Sequence, residues 1–300
     1  MTSRDPSYAH QRHLHAPLPA GANDFSLLSW NVLADGLAER GGFVRAPQEA
    51  LSWESRRGSI LEQVLSAEHT GVGPDLVCLQ EVDRFGDAFE PTLHARGYSG
   101  AYVAKADGRD GCCVFWRRAR FSLRWTRSLR YLGADGRNGT QVALLAALLD
   151  RERDAPLLVA TTHLKAKVGN EAEREGQARQ LRRAVLAEGG RLGPRAGLIV
   201  AGDFNDVPGS LAHAAMLAGG ELSSAYAACA GSEPDWTTWK VRADGEVCRT
   251  IDYVFCGGPL RPTAVLEPPP RAAIEPERLP SWRYPSDHLS LLVRFAPALA

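Results

Sequence analysis

Six apolar stretches of this chain end in a carboxylate, an amide or an imidazole, where ordinary strands end in turn residues. Runs such as Leu76–Leu79 and Leu198–Ala201 are typical of buried strands. A polar side chain directly after such a strand is costly unless it has a partner. The six polar ends are Ser29-Trp30-Asn31, Gln80-Glu81, Thr162-His163, Gly202-Asp203-Phe204-Asn205, Ile251-Asp252-Tyr253 and Ser286-Asp287-His288. One assembled site explains all six.

The residue types at these ends suit a hard cation and a phosphate group. Glu81 follows the most hydrophobic strand, so we predict it as the main metal ligand, with a structural ion pair as the alternative. Asn31 and Asp287 are further candidates for the metal or its waters. Asn31 could also bind a phosphate oxygen, or simply end its strand in an Asx turn. We expect Mg²⁺, with Mn²⁺ as the alternative ion, and no organic cofactor.

The histidines and the remaining aspartates predict catalytic groups. His288 and Asp252 are typical of an imidazole–carboxylate pair, in which His288 acts either as a base or as an imidazolium that stabilises phosphate charge. Asp203 and Asn205 alternate across Phe204 and so share one side of an extended segment. Asp203 is a candidate to orient or deprotonate water. Asn205, His163 and His288 are candidates to contact the phosphate of the substrate.

Composition limits the function classes. The 300 residues are 44% hydrophobic and carry 35 basic and 35 acidic side chains, so a long nucleic-acid partner has no strong electrostatic basis. The six cysteines form no CxxC pair, which favours reduced core thiols over a metal or disulfide framework. No apolar run is long enough to cross a bilayer, so no membrane partner is expected.

The first 24 residues differ in composition from the rest. They are rich in His, Pro, Ser and Ala and predict a disordered leader, followed by a single catalytic domain over residues 25–300. Arg4, Arg12 and three histidines lie within the first 15 residues with a single acid, Asp5, a composition similar to that of an organellar targeting peptide. A cytoplasmic monomer is the simpler expectation.

Strand and helix patterns alternate through residues 25–300 and predict an α/β domain, with two packed sheets and helices outside. Helices are predicted over Pro47–Ala67, Glu171–Leu186 and Pro208–Leu217, and a Pro-rich loop over Pro259–Pro280. The predicted strands are Leu27–Asn31, Leu76–Leu79, Gly100–Val103, Cys112–Trp116, Gln141–Leu149, Leu157–Thr162, Gly197–Ala201, Ile251–Cys256 and Leu289–Phe295.

The polar ends together resemble the endonuclease/exonuclease/phosphatase superfamily over about residues 25–296. Longer strings resemble its deadenylase-type branch and, within it, the nocturnin family. These strings are Phe43–Pro47, Ala50–Arg57, Cys78–Asp83, Asp110–Cys112, Thr162–Lys167, Ser232–Pro234, Thr237–Arg242 and Arg278–Ser290. The resemblance implies a four-layered α/β sandwich, in which two packed mixed β-sheets are flanked by helices.

The resemblance also implies a substrate. The nocturnin family removes the 2′-phosphate from NADP⁺ and NADPH, a small anionic ligand that needs a few placed cations rather than a long groove. Lys105, Lys165, Lys167 and Arg242 lie close to the polar ends. By resemblance Lys105, Lys167 and Arg242 fall at substrate-binding basic positions, with Lys167 in place of a family Arg. Solvated surface lysine is the alternative interpretation of each.

Three other functions remain open from the sequence. A 3′-exoribonuclease acting on poly(A) is the principal alternative. True deadenylases place an aromatic residue shortly before the strand that carries Asp252, whereas Gly245–Arg249 contains none. Another small phosphoester substrate and a non-catalytic binding module are the remaining hypotheses. The intact polar set argues against the last of these.

Overall fold

The computed structural model describes residues 12–66, 68–274 and 276–298. The α-helices of these residues are α1 (Asp35–Arg40), α2 (Gln48–Leu51), α3 (Trp53–Leu65), α4 (Glu90–Ala95), α5 (Glu171–Leu192), α6 (Leu211–Leu217) and α7 (Ala225–Ala230). A π-helical turn lies at Phe85–Phe89, and short 3₁₀ turns lie at Ala218–Gly220 and Arg271–Ala273. None of the helices within these three ranges has the length and apolar composition needed to span a bilayer.

The strands of the described residues form two large sheets and one small hairpin. They are β1 (Leu14–His15), β2 (Phe25–Asn31), β3 (Leu76–Val82), β4 (Tyr98–Ala104), β5 (Gly111–Arg117), β6 (Phe121–Leu132), β7 (Asn138–Asp150), β8 (Ala155–His163), β9 (Gly197–Asp203), β10 (Leu222–Ser224), β11 (Thr238–Arg242), β12 (Gly245–Arg249), β13 (Asp252–Gly257), β14 (Leu260–Leu266) and β15 (Leu291–Pro297). The first sheet has the order β1-β14-β15-β2-β3-β5-β4 and the second β10-β13-β9-β8-β7-β6. Both are mixed, because β2–β3 and β8–β9 pair in parallel and the other neighbours antiparallel. Strands β11 and β12 form the hairpin.

Three apolar layers hold four layers of structure together. The inner faces of the two sheets meet in one cluster that includes Leu27, Cys78, Leu148 and Val293. Helix α3 covers the outer face of the first sheet, and α5 and α6 cover the outer face of the second. Central strands such as β3 are therefore buried on both faces, which explains their continuous apolar sequences. The predicted four-layered α/β sandwich is confirmed.

Part of the predicted disordered leader is structured. Leu14 and His15 pair with β14, and the buried Arg12 donates to Ser290 Oγ at 3.0 Å and Ser290 O at 2.8 Å. A short added strand covers an edge that β14 would otherwise leave open. Polar composition does not reveal such a strand. Residues 1–11, the rest of the predicted leader, lie outside the described residues.

Other boundaries also differ from the prediction, since α5 continues to Leu192 and α6 begins only at Leu211. The Pro-rich loop expected over Pro259–Pro280 begins with β14, whose pairing with β15 shifts register between Pro262 and Ala264, so the strand tolerates the proline. The helix expected over Pro47–Ala67 is divided at Ser52, which has extended backbone and caps α3 by accepting a hydrogen bond from Ser55 N. The six cysteines are unpaired thiols, four of them buried.

Candidate active site

Three of the predicted site residues lie side by side at one end of the second sheet. In the parallel pairing of β8 and β9, His163 is opposite Asp203, and in the antiparallel pairing of β9 and β13, Asp252 is opposite Asp203. A Cβ atom at Gly202 would lie 2.0 Å from Thr162 O. Glycine before Asp203 therefore permits the close approach that brings the three side chains together.

The first sheet contributes Asn31 and Glu81. Glu81 lies where β3 shifts register against β5, and its φ of 56° is left-handed, which is uncommon for a residue with a side chain. Such a bulge re-aims a side chain at the end of a strand. Asn31 Nδ2 lies 3.0 Å from Glu81 Oε1 and 3.0 Å from Asp203 Oδ2. One amide thus joins the carboxylates of the two sheets.

His288 reaches this cluster from the segment before β15. Ser286 Oγ donates to Asn31 O at 2.6 Å and accepts from His288 N, which ties the segment to the end of β2. His288 Nδ1 lies 2.9 and 3.1 Å from the two carboxylate oxygens of Asp252, the partner expected from the sequence. Its Nε2 lies 3.7 Å from Asp203 Oδ2.

The carboxylates around His288 keep it protonated. Burial alone would lower the pKa of His288, but Asp252, Asp287 and Asp203 outweigh burial and raise it to about 9. Thr237 Oγ1 lies 2.5 Å from Asp252 Oδ2 and also accepts from Asp252 N, so that the carboxylate is fixed in place. At neutral pH His288 is therefore an imidazolium held by Asp252.

His163 is in the opposite state. Burial, followed by the nearby ammonium of Lys105, lowers the pKa of His163 well below its usual range. Lys105 Nζ, which can only donate, lies 3.2 Å from His163 Nδ1. The proton of the neutral ring is therefore on Nε2, which lies 3.6 Å from Asp203 Oδ2. Lys105, predicted as a substrate contact, is itself buried behind His163 and paired with Asp110 Oδ1 at 2.8 Å.

Asp203 is the carboxylate that the site residues share. Burial raises the pKa of Asp203 to about 6, although His288 opposes the shift. Asn205 N donates to Asp203 Oδ1 at 2.8 Å, and Asn205 Nδ2 donates to Leu164 O at 3.1 Å. The φ of Asn205 is 52°, so the chain turns after Asp203 rather than continuing as an extended segment.

The buried carboxylates fit a divalent cation. Among the described residues two groups bring possible ligand atoms close together: Glu81, His163 and Asp203, and Asp203, Asp252 and His288. In the second group His288 already neutralises Asp252. In the first group the histidine is neutral, and the side chain that links the two buried carboxylates is the uncharged amide of Asn31. A cation on the first group offsets this negative charge.

Asp287, the third predicted metal ligand, is held by basic side chains of β11. Lys240 Nζ forms an ion pair with Asp287 Oδ2, and Arg242 Nη2 lies 3.8 Å from the same oxygen. Burial alone would raise the pKa of Asp287, but Lys240 and His288 lower it to about 2. The arrangement therefore presents Asp287 as a counter-ion rather than as a member of the Glu81 group.

The other predicted cations lie on the loop after β8 and at the end of β11. Arg174 donates to the backbone oxygens of Lys165 at 3.2 Å and Lys167 at 2.8 Å, which fixes the loop after β8. Lys167 is exposed, with a left-handed φ of 78°. Arg242 is half-exposed and lies over the ring of Phe43, with 5.0 Å between its Cζ atom and the ring centroid.

Sequence reasoning missed three residues that support the site: Lys240, Thr237 and Asp110. Lys240 had a detectable signal, because alternation along a strand puts it on the same side as Arg242. Thr237 and Asp110 each begin a string that carries the family resemblance, but no role was predicted for them, since a lone hydroxyl or carboxylate in a loop is typical of many turns.

Comparison with known proteins places this arrangement in a family. The profile of the Endonuclease/Exonuclease/phosphatase family matches residues 28–288. Nocturnin of Xenopus laevis is 38% identical over 288 residues, which cover 91% of this chain and 72% of that protein. The human nocturnin catalytic domain, solved with a bound sulfate anion, has a TM-score of 0.78 and 31% sequence identity, over 99% of this chain and 100% of that chain.

A relative from the deadenylase side matches a shorter region. The 3′-5′-exoribonuclease subunit Ccr4 of the Saccharomyces cerevisiae CCR4-Not complex is 33% identical over 132 residues, which cover 40% of this chain and 15% of that protein. The family match contains the whole set of clustered residues, from Asn31 to His288. The chain therefore belongs to the endonuclease/exonuclease/phosphatase family of hydrolases and, within it, to the nocturnin-like branch.

Proposed function

We propose that this chain is a Mg²⁺-dependent phosphatase that converts NADP⁺ and NADPH to NAD⁺ and NADH by hydrolysing the 2′-phosphate. The observation that carries the proposal is a compact set of donors around Asp203: the imidazolium of His288 and the neutral Nε2–H of His163. Lys167, on the loop after β8, and Arg242, at the end of β11, add exposed positive charge. A few placed cations around one small cluster suit a dinucleotide phosphate better than a polymer.

Glu81, with Asn31, would hold the Mg²⁺ ion beside Asp203. When bound, the ion would offset the negative charge of the phosphate and of the nearby carboxylates. The human nocturnin domain with its bound sulfate is a relative that accepts a tetrahedral anion. Mn²⁺ has the same preference for oxygen ligands and is the alternative ion.

Different side chains accept and donate protons during the reaction. Asp203, with a pKa of about 6, is ionised at neutral pH and accepts a proton from the attacking water. As the bond from phosphorus to the ribose 2′-oxygen breaks, His288 transfers its Nε2 proton to that oxygen, which leaves as a hydroxyl, while Asp252 holds Nδ1. His163 keeps its proton and donates a hydrogen bond from Nε2 to a phosphoryl oxygen.

The second candidate is a 3′-exoribonuclease, which the similarity to Ccr4 favours. Against it, β12 contains no aromatic side chain on which a base could stack. The formal net charge of +0 also gives a long polyanion no overall electrostatic attraction. We therefore rank RNA below NADP(H) as substrate.

The deciding experiment measures phosphate release from NADP⁺ with Mg²⁺, beside shortening of oligo(A) on a gel. Glu81→Gln removes one negative charge at nearly constant shape and should abolish turnover, whereas Glu54→Gln, on the exposed side of α3, serves as the matched control. Phosphate with NAD⁺ as the coproduct, lost only in Glu81→Gln, supports the proposal. Shortened RNA with intact NADP⁺ would reverse the ranking.

A further inference from the structure

A buried arginine lies beneath the site and takes no part in the chemistry described above. Arg56 belongs to the string Ala50–Arg57 and sits in α3, where its side chain is 1% exposed. Burial of a guanidinium without a carboxylate partner is costly. Among the described residues, no acidic oxygen lies within ion-pair distance of it. The contacts that it makes instead are therefore informative.

The guanidinium of Arg56 donates to four backbone carbonyls on three segments. Nε lies 3.0 Å from Leu51 O, at the end of α2. Nη1 lies 3.2 Å from Val32 O and 3.0 Å from Leu33 O, directly after Asn31. The same nitrogen lies 3.1 Å from Pro285 O.

Nη1 of Arg56 thus connects two segments that carry site residues next to strands of the first sheet. Asn31 ends β2 directly before Val32 and Leu33, and the segment after Pro285 carries Asp287 and His288. Ser286 Oγ, which donates to Asn31 O, and Trp30 Nε1, which donates to His288 O at 2.8 Å, also link the two segments. Arg56 adds a link to both backbones from α3, so the geometry of Asn31 relative to His288 depends on it as well as on these two side chains.

The surrounding charges give a reason for a cation at this position. Asp35, Asp83, Asp287 and Glu81 all act electrostatically on Arg56, although none is bonded to it. Its Nη2 has no hydrogen-bond partner among the described residues. The guanidinium thus offsets carboxylate charge under the site while its other nitrogens hold the backbone.

We propose that Arg56 is a positioning residue that fixes the Asn31 segment against the His288 segment, so that both side chains meet at Asp203. A lysine cannot do the same work, because its three donors radiate from one atom, whereas the guanidinium fork reaches carbonyls in different directions. The kinetic part of the proposal rests on the proposed function of the site. The structural part does not.

Hydrogen–deuterium exchange of Arg56→Lys tests the structural part without any substrate. Peptides that cover residues 31–36 and 283–290 should both exchange faster than in the wild type, with peptides from β6 and α5 unchanged. Arg57→Lys, the exposed neighbour on the same helix, is the control and should change neither segment. Faster exchange throughout the chain, in only one of the two segments, or in neither would overturn the proposal.

Steady-state kinetics on NADP⁺ test the consequence for the reaction. Displacement of a catalytic group by about 1 Å costs on the order of 100-fold in rate, so kcat should fall by roughly that factor in Arg56→Lys. KM should hardly move, because Lys167 and Arg242 are untouched. A loss of kcat without faster exchange in the two segments would contradict positioning. If the enzyme released no phosphate from NADP⁺, the exchange result would still decide the structural claim.

A cavity variant keeps the test open if Arg56→Lys does not fold. In Arg56→Ala, guanidinium at non-denaturing concentration should enter the vacated space, restore slow exchange in both segments and recover part of kcat. Ammonium at the same ionic strength should do neither. Equal effects of the two ions, or no effect of guanidinium, would overturn the proposal.

Discussion

At the scale of single residues, two histidines face the same carboxylate in opposite protonation states. His163 Nε2 and His288 Nε2 lie 3.6 and 3.7 Å from Asp203 Oδ2. The difference comes from the far side of each ring, where Lys105 repels a proton from His163 and Asp252 holds one on His288. The group beside Nδ1 of each ring, rather than the shared carboxylate of Asp203, therefore determines which histidine carries charge.

The pKa of His288 predicts how the stability of the metal-free protein depends on pH. Its folded pKa of about 9 exceeds the unfolded value of 6.5, so the stabilisation is complete below pH 6.5 and is lost as pH rises through 9. Between about pH 7 and 8.5 the free energy of unfolding should fall by about 2 kcal/mol. Urea unfolding in the presence of a chelator measures this. His288→Gln should show a flatter profile, and parallel profiles would contradict the assignment.

Arg242 tests substrate selection at the same scale. Arg242→Ala should raise KM for NADP⁺ by about tenfold, the value of one charge-assisted hydrogen bond, and change KM for a generic phosphodiester far less. Arg249→Ala, which removes an exposed arginine from the neighbouring strand, is the matched control. Equal losses on both substrates would mean that Arg242 does not select the substrate.

At the scale of elements, the first described strand is the sharpest test of the domain boundary. Removal of residues 1–15 deletes β1 and Arg12, whose guanidinium bonds to Ser290 and to the carbonyls of Leu266 and Glu267. The free energy of unfolding should fall by about 2 kcal/mol, because the buried carbonyls lose a charged donor. Removal of residues 1–11 alone keeps Arg12 and is the control. Equal stability of the two truncated chains in urea would restore the boundary predicted at residue 25.

The elements also show what sequence patterns can reveal. Strands β3, β8 and β9 were predictable because both of their faces are buried and their apolar runs are continuous. Strand β6 was not, because it is the outer strand of its sheet and exposes Arg124, Arg127 and Arg130. The polar ends of the buried strands identified the site residues, but the bulge that turns Glu81 depends on pairing with β5, which no local pattern shows.

At the scale of the whole molecule, balanced charge predicts weak binding of nucleic acid. If single-stranded RNA contacts only Lys165, Lys167 and Arg242, the logarithm of its binding constant should fall with the logarithm of the salt concentration with a slope no steeper than about −2. Fluorescence anisotropy with labelled oligo(A), in the absence of metal, measures the slope. A much steeper slope would reveal a basic track and favour the exoribonuclease function. The sequence predicted the four-layer architecture through family resemblance, since no single strand pattern shows how two sheets pack.

The position of Asn31 between the sheets has a mechanical consequence. Glu81 belongs to one sheet and Asp203 to the other, and the Asn31 amide lies 3.0 Å from both. The distance between these two carboxylates is therefore set in part by the apolar layer between the sheets, which includes Leu27 and Leu148. A methylene group lost from that layer would let the sheets slide or settle and so alter this distance. A substitution deep in the hydrophobic core would thus change the geometry of the two carboxylates without contacting either of them.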